Sequence, residues 1–459
     1  EVERFLPRLV ELGVTAVELM PLGEFPGRRN WGYDGVLPFA PASAYGTPEQ
    51  LKHLIDSAHG MGLMVFVDVI YNHFGPDGNY LAQYAAAFFR DDRQTPWGQA
   101  IDFRRGEVRE FFYENALMWL LDYRVDGLRF DAVHAIPDSA FLVEMARRLR
   151  GAAGPERHVH LVLENDDNRA SLLRQGYDAQ WNDDGHHALH VLLTGENDGY
   201  YQDYPEPLRC LARCLAEGFV YQGEANRHGR PRGEPSADLA PDAFVLFLQN
   251  HDQVGNRAFG ERLSVLAEPQ ALRLAIALQL LAPMIPLLFM GEECAAREPF
   301  LYFTDHQGEL ADAVREGRRK EFGEFGRFGE GATLASLPDP NAVETFERSR
   351  PGLADCDPAW RGFYRQLLEI RHEHLIPRLR GARSLGVTTI AGAALSARWR
   401  LGDGSDWRID FNPSPLEAEV EPPAAATWVL FLDNLACAEY RRGRLSPRSI
   451  AVSLEPAHE

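Results

Sequence analysis

The 459-residue sequence has few cysteines. It contains five of them, at Cys210, Cys214, Cys294, Cys356 and Cys437. This number is too small for a disulfide framework, and it is odd. The composition therefore favours a reducing compartment, and we expect a cytoplasmic location. Cys210 and Cys214 are four residues apart but lack a second pair of ligands, so buried thiols are expected there and not a metal site.

Positive charge and long apolar runs are also scarce. The sequence has 47 Lys and Arg against 67 Asp and Glu, which gives a net charge of −20. Nucleic-acid-binding proteins present a basic face, so no nucleic-acid partner is expected. The most apolar segment, residues 272–290, contains Arg273, Gln279, Pro283 and Pro286. This pattern predicts a buried helix followed by a buried strand, and no membrane segment is expected.

What the sequence does contain is an alternation of short apolar runs with amphipathic segments. Strands are predicted at residues 14–20, 63–70, 126–130, 158–163, 178–181, 243–248 and 286–290. Helical patterns separate most of them. Thr47 and Gln50 form the capping-box signal of one such helix, with Pro48 at its first position. Repeated strand-then-helix units indicate a parallel sheet with right-handed crossovers.

Seven such strands are predicted, and a helix precedes the first. We therefore expect an α/β fold, a (β/α)8 TIM barrel that lacks its first strand at the chain start. The chain begins with Glu1 and not with Met, so we expect the natural N-terminus to be absent. After about residue 380, short strand-forming runs are broken by Gly, Pro and Asn. Residues 1–378 are predicted to form the catalytic barrel, and residues 379–459 a small antiparallel β-sandwich domain.

Polar residues cluster where four of the predicted strands end. The clusters lie in residues 67–73 (VDVIYNH), 127–134 (GLRFDAVH), 161–166 (LVLEND) and 247–253 (FLQNHDQ). A single Asp after a strand often only caps the next helix. Four clusters after four apolar runs instead predict a functional site at the carboxyl ends of the strands.

The residues in these clusters suit glycoside hydrolysis. That reaction needs a carboxylate nucleophile, a carboxylic acid and a stabilised oxocarbenium-like transition state. Asp131, Glu164 and Asp252 supply carboxyl groups from three strands. Arg129 lies two residues before Asp131, on the same side of the strand, so the two side chains can meet. Crowding of carboxylates is expected to raise the pKa of one of them. Further groups suited to sugar hydroxyls or to pyranose faces are Asn72, His73, His251, Trp31, Tyr33, Phe74 and Trp97.

The four clusters resemble, in the same order, the four characteristic regions of the α-amylase family, glycoside hydrolase family 13. This resemblance implies that Asp131 is the nucleophile, Glu164 the general acid/base and Asp252 the third carboxylate, which binds ring hydroxyls. In that family the regions lie on barrel strands three, four, five and seven, one later than counted here, in line with a missing first strand. The other residues expected to contact substrate are Tyr33, Asp68, His73, Arg129, His134, Trp181, Asp184 and His251.

Four further segments narrow the resemblance to a trehalose-releasing subgroup of this family. They are residues 74–81, 194–201, 250–263 and 303–322. The resemblance implies a retaining hydrolase that cleaves the α-1,4 bond next to the terminal trehalose of maltooligosyltrehalose, with no cofactor and no metal. The trehalose pocket is expected among residues 181–187, 194–201 and 304–306.

Several alternatives remain open. The chain could be a glycogen-branching enzyme or an α-glucanase of the same family, or an inactive glucan-binding fragment. His186, His187 and His190 lie at helical spacing beside two aspartates, and sugar contacts or packing are preferred to a metal site for them.

Overall fold

The structure is a computed structural model, and it describes residues 1–95, 98–323, 336–352 and 356–457. Internal contacts divide the chain into two compact units. The first comprises Glu1–Gln180 with Leu301–Ser349, and the second Trp181–Phe300 with Arg350–Glu459. Within the described ranges, no helix has both the length and the apolar character needed to cross a membrane.

The strands alternate with helices along most of the chain. The strands are β1 (Ala16–Leu19), β2 (Gly23–Glu24), β3 (Leu37–Pro41), β4 (Met64–Val69), β5 (Phe89–Thr95), β6 (Gly98–Ile101), β7 (Gly127–Phe130), β8 (His160–Leu163), β9 (Ala179–Trp181), β10 (Phe244–Phe247), β11 (Ile285–Leu287), β12 (Arg383–Ile390), β13 (Ala394–Arg400), β14 (Asp406–Asn412), β15 (Ala418–Glu419), β16 (Trp428–Asp433), β17 (Arg444–Leu445) and β18 (Ser449–Glu455). The helices are α1 (Leu6–Leu12), α2 (Pro48–Gly60), α3 (Leu81–Tyr84), α4 (Gly106–Leu117), α5 (Ser139–Ala153), α6 (Ala170–Leu173), α7 (Asp183–Thr194), α8 (Pro207–Glu217), α9 (His251–Gly255), α10 (Leu263–Leu266), α11 (Pro269–Leu281), α12 (Gly308–Gly323), α13 (Val343–Arg348), α14 (Pro358–Ile370) and α15 (Cys437–Arg441).

One sheet holds the seven strands that the sequence predicted. Its order is β1, β4, β7, β8, β9, β10 and β11, which is chain order for these strands. In the first unit β1 pairs with β4, β4 with β7, β7 with β8 and β8 with β9, all parallel. In the second unit β10 pairs with β11, again parallel. This is the strand arrangement of a (β/α)8 barrel with seven of its eight strands, so the predicted fold class is confirmed.

The local signals explain why these segments form these elements. All four residues of β7 and all four of β10 are buried, as expected for parallel strands covered on both faces. At the start of α2, Thr47 Oγ1 accepts from the Gln50 amide at 3.3 Å, and Gln50 Oε1 accepts from the Thr47 amide at 2.9 Å. The predicted capping box is therefore present, with Pro48 at the first helical position.

The last part of the second unit is antiparallel. A five-stranded sheet runs in the order β12, β13, β14, β18 and β16, and β15 pairs with β17. Trp407 on β14 is fully buried and donates from Nε1 to the Leu281 carbonyl at the end of α11, at 2.9 Å. The predicted C-terminal antiparallel domain is confirmed, while its boundary at residue 379 stays a prediction.

The cysteines depart in part from expectation. Cys294 and Cys356 form a disulfide across 62 residues, which the cysteine count did not predict. The count cannot reveal which distant segments meet. Cys210 and Cys214 are unpaired thiols as expected, and Cys214 is buried.

A buried carboxyl group lies two residues before Cys294. Glu292 is 7% exposed, and neither carboxylate oxygen has a hydrogen-bond partner among the described residues. Burial raises the pKa of Glu292 to about 8. The neighbouring Arg262 guanidinium donates to the carbonyls of Glu298 and Met290, so it has acceptors other than Glu292.

Candidate active site

In the first unit, the two carboxyls that are predicted to be catalytic directly follow neighbouring strands. Asp131 comes after β7, and its amide donates to the Val69 carbonyl at the end of β4, at 3.1 Å. Glu164 comes after β8, and its amide donates to the Phe130 carbonyl at 3.0 Å. The ladder hydrogen bonds thus continue past the strand ends and fix both backbones where chemistry is expected in a parallel barrel.

Arg129 lies at the centre of this group. Its side chain is fully buried, and Nη1 donates to Asp68 Oδ2 and to Asp131 Oδ1, each at 2.7 Å. Its Nη2 lies 3.6 Å from Glu164 Oε2. The contact of Arg129 with Asp131 that the two-residue spacing predicts is therefore present. The same guanidinium also reaches two further carboxyls, which spacing within one strand could not show.

Glu164 is tied to the turn that follows Asp131. Its Oε2 accepts from the Ala132 amide at 2.5 Å, and its carbonyl accepts from the Val133 amide at 3.0 Å. Ala132 has a φ of 40°, in the left-handed region that costs a residue with a side chain about 1–2 kcal/mol. Such strain persists only where the surroundings enforce it, and here the bonds to Glu164 do so.

The second oxygen of Asp131 is also held. Asn72 Nδ2 donates to Asp131 Oδ2 at 3.0 Å, and Asn72 Oδ1 contacts His73 Nδ1. His73 Nε2 lies 2.9 Å from the Tyr33 carbonyl, and Tyr33 donates its hydroxyl to Asp68 Oδ2 at 2.6 Å. These contacts close a ring through Arg129. Both oxygens of Asp131 are thereby oriented by donors before any substrate binds.

Two neighbouring carboxyls have strongly raised pKa values. Burial raises the pKa of Asp68 to about 7, assisted by the charge of Asp131 and opposed by Arg129. Burial, assisted by Asp68, raises the pKa of Glu18 on β1 to about 8. Burial is thus the main cause of both shifts, and the neighbouring carboxylates contribute less. Sequence reasoning missed Glu18, although a Glu within the apolar run 14–20 was a visible signal.

Tyr33 is carried by a loop with its own supports. Asn30 Oδ1 accepts from the Gly32 amide at 2.7 Å, and Asn30 Nδ2 donates to Asp34 Oδ2 at 2.7 Å. His306 Nε2 lies 3.6 Å from the same Asp34 oxygen. Although burial opposes it, hydrogen bonding by His306 and Asn30 lowers the pKa of Asp34, so the loop holds a carboxylate.

The second unit holds its own predicted site residues together. The Asn250 side chain caps α9 and accepts from the Asp252 amide at 2.8 Å. This places Asp252 in the first turn with its side chain 43% exposed. His251 is buried, lies 3.5 Å from Asp252 Oδ1 and packs edge-on against Trp181, at 6.1 Å between ring centroids. Asp252 is thus an accessible carboxylate beside a buried imidazole and indole.

Comparison with known proteins identifies the family. The model of the alpha amylase catalytic domain matches residues 2–97, and that of a domain of unknown function, DUF3459, matches residues 382–452. The malto-oligosyltrehalose trehalohydrolase of Deinococcus radiodurans is 42% identical over 420 residues, which are 86% of this chain and 68% of that protein. That of Rhizobium sp. strain M-11 is 40% identical over 97% of this chain and 76% of its own length. The chain belongs to the malto-oligosyltrehalose trehalohydrolase family.

A solved structure agrees with this assignment. A crystal structure of a Salmonella typhimurium protein is 43% identical, with a TM-score of 0.91, and covers 99% of this chain and 78% of that one. The resemblance to the α-amylase family that the four strand-end clusters predicted is thereby confirmed. Membership of the trehalohydrolase family also makes the chain a glycoside hydrolase.

Asp184, one of the predicted substrate contacts of this trehalohydrolase-family chain, has protein partners for both of its carboxylate oxygens. Asp184 is fully buried, and its Oδ2 accepts from the amides of Val220 and Tyr221 at 2.7 and 3.1 Å. Its Oδ1 accepts from the Tyr204 hydroxyl and lies 3.4 Å from Arg232. Asp184 is therefore an interior group that holds the segment after α8. The sequence places it only next to Trp181 and cannot show which way α7 turns it.

The three histidines of α7 in this trehalohydrolase-family chain also have hydrogen-bond partners within the protein. His186 contacts the Leu248 carbonyl at 2.7 Å, His187 the Tyr204 hydroxyl at 3.1 Å and His190 the Glu196 carboxylate at 2.9 Å. The three rings are buried, in line with the preference for packing.

The other predicted positions lie in three parts of the chain. These are the turn after β8, the segment that contacts the loop of Tyr33, and residues outside the described ranges. His134 Nδ1 accepts from the Asp166 amide at 3.2 Å in the turn after β8. Thr304 and His306 are buried, and His306 Nε2 lies 3.6 Å from Asp34 Oδ2 in the loop that carries Tyr33. Trp97 lies outside the described residues.

Proposed function

We propose that the chain is a retaining hydrolase that cleaves the α-1,4 bond next to the terminal trehalose of maltooligosyltrehalose and so forms trehalose from α-glucan. The observation that carries the chemistry is the contact of Arg129 with both Asp131 and Glu164. The family membership supports the choice of substrate. The net charge of −20 fits a neutral glucan better than a nucleic acid.

In the first step, a carboxylate oxygen of Asp131 attacks the anomeric carbon, and the bond from that carbon to the leaving oxygen breaks. Arg129 and Asn72 hold the two oxygens of Asp131, so little orientation remains to be supplied when substrate binds. Glu164 donates its proton to the leaving oxygen. Its Oε2 accepts from the Ala132 amide, so we assign that proton to Oε1.

In the second step, water attacks the anomeric carbon of the glycosyl enzyme. Glu164 accepts a proton from the water, and Asp131 leaves as a carboxylate. The ester of Asp131 carries no charge, so in this step the field of Arg129 acts on Glu164 and favours its ionised form. One guanidinium thus serves both carboxyls in turn. We assign Asp252, His251 and Trp181 to substrate binding, together with Tyr33, Asp68, His73 and His134.

The test compares two substrates of equal length. The chain is incubated with maltooligosyltrehalose and with the uncapped maltooligosaccharide, and products are separated by anion-exchange chromatography. We expect trehalose to be released, at a rate well above cleavage of the uncapped chain. Equal rates on both substrates would instead indicate an α-glucanase. Transfer products with α-1,6 branches would indicate a branching enzyme, and binding without turnover an inactive glucan-binding protein.

We also infer a cytoplasmic location, which the unpaired thiols Cys210, Cys214 and Cys437 support and the disulfide of Cys294 with Cys356 does not. Thiol labelling of the protein in lysed cells tests this. Five reactive cysteines after denaturation would agree with a reducing compartment, and three would contradict it.

A further inference from the structure

Three potential metal ligands meet at the end of the sheet away from the catalytic carboxyls. His160 begins β8, and His158 lies two residues earlier, on the same side of the extended chain. Asp178 directly precedes β9, the parallel neighbour of β8. The parallel pairing therefore brings one carboxylate next to two imidazoles.

The distances fit a small cation. One ligand atom from each of the three residues lies within 4.8 Å of the other two, and His158 Nε2 is 3.2 Å from Asp178 Oδ1. Tetrahedral zinc with bonds of about 2.0–2.1 Å places its ligand atoms about 3.3 Å apart. The His158–Asp178 pair already has this spacing, and a ring nitrogen of His160 lies within 4.8 Å of both partners.

The carboxylate is held by a second set of partners. Asp178 Oδ2 accepts from the Leu161 amide at 2.7 Å and from Arg150, whose Nη2 also donates to the Gly176 carbonyl at 3.1 Å. These bonds fix the side chain and direct Oδ1 toward His158. Carboxylate ligands of metals are ordinarily supported in this way. The charge of Arg150 opposes a cation, so we expect micromolar and not nanomolar affinity.

The two imidazoles differ in their exposure to solvent. His160 is half-buried, and burial, together with the neighbouring His158, lowers its pKa and so favours the neutral ring that can bind a metal. The His158 side chain is 60% exposed, which gives a cation a path from solvent and leaves room for a water ligand.

We propose that His158, His160 and Asp178 form a binding site for one divalent transition-metal cation, with Zn²⁺ as the best match to two nitrogens and one carboxylate oxygen. A cation there joins the amino ends of β8 and β9 and stabilises the fold. Glu164 lies four positions after His160, about 13 Å along an extended strand, so turnover does not depend on the metal.

The experiment titrates the chelator-treated, tag-free chain with ZnCl₂ in a calorimeter. We expect one site with a Kd of about 10 μM or below and a melting temperature that rises with ZnCl₂. His158→Ala and His160→Ala should each weaken binding at least tenfold. His53→Ala is the matched control, because His53 lies 3.3 Å from Glu3 as a lone histidine–carboxylate pair. It should leave the affinity unchanged.

Two results would overturn the proposal. One is the absence of binding at 100 μM ZnCl₂. The other is an unchanged affinity in the His158→Ala/His160→Ala double variant, which would place the zinc elsewhere. If His160→Ala fails to fold, the exposed His158→Ala variant still decides, with the visible absorption of bound Co²⁺ as readout. Loss of the Co²⁺ spectrum in this variant supports the site, and an unchanged spectrum refutes it.

Discussion

Replacing Arg129 with methionine should remove the organising charge of the site. Arg129 is fully buried and makes two hydrogen bonds of 2.7 Å to ionisable carboxyls. Removing one partner of a buried ion pair costs about 3–5 kcal/mol, since the other partner stays buried without compensation. We therefore expect Arg129→Met to lower the free energy of unfolding by about 4 kcal/mol, close to a thousandfold in the folded-to-unfolded ratio. Turnover should fall at least a hundredfold, because Asp131 loses its Oδ1 donor.

A double-mutant cycle with Asp68→Asn tests the cause of this loss. Arg129→Met leaves Asp68 and Asp131 without this donor, and in the double variant the Asp68 carboxylate is also gone. The loss of stability of the double variant should therefore be smaller than the sum of the two single losses by more than 1 kcal/mol. Urea unfolding followed by tryptophan fluorescence measures stability, and trehalose release measures activity. The double variant should regain stability and remain inactive. Additive stability losses, or a loss below 1 kcal/mol for Arg129→Met, would refute the reasoning.

Three further predictions concern groups around the site. Glu292 keeps its proton to about pH 8 when folded and loses it near pH 4.5 when unfolded, so wild-type stability falls as pH rises between these values. The free energy of unfolding of Glu292→Gln should rise relative to that of the wild type by up to about 1.4 kcal/mol per pH unit in that window. A difference in melting temperature that stays constant between pH 5 and 8 would contradict this. Asp184→Asn should cost about 3 kcal/mol of stability with the turnover of folded protein kept within a few-fold, whereas normal stability with lost turnover would make it a substrate contact. His306→Ala should loosen the loop of Tyr33 and lower kcat/KM about tenfold, mainly through KM, and an unchanged KM would separate His306 from that loop.

The fold could be predicted because its signals are local. Each buried strand, such as β4, is a short apolar run, and such runs alternate with helical patterns that carry recognisable caps. The place of the two carboxyls proposed as catalytic could be predicted because Asp131 and Glu164 directly follow two such runs, β7 and β8.

The remaining features depend on contacts between distant segments. The sequence does not show that Arg129 also reaches Glu164, or that Cys294 pairs with Cys356. It likewise does not show that Asp184, which is predicted to contact substrate, binds the amides of a neighbouring segment. Tertiary packing decides which way such a side chain faces, and the periodicity of a single helix carries no information about that packing.

Trapping the glycosyl enzyme tests the central assignment most directly. In Glu164→Gln, an α-maltooligosyl fluoride can still react, since fluoride leaves without protonation, while the second step lacks its base. We predict a glycosyl adduct that accumulates on the peptide containing Asp131, detected by mass spectrometry after proteolysis. An adduct on a different peptide, or fluoride release with no adduct and an inverted product, would contradict the assignment of Asp131 as nucleophile.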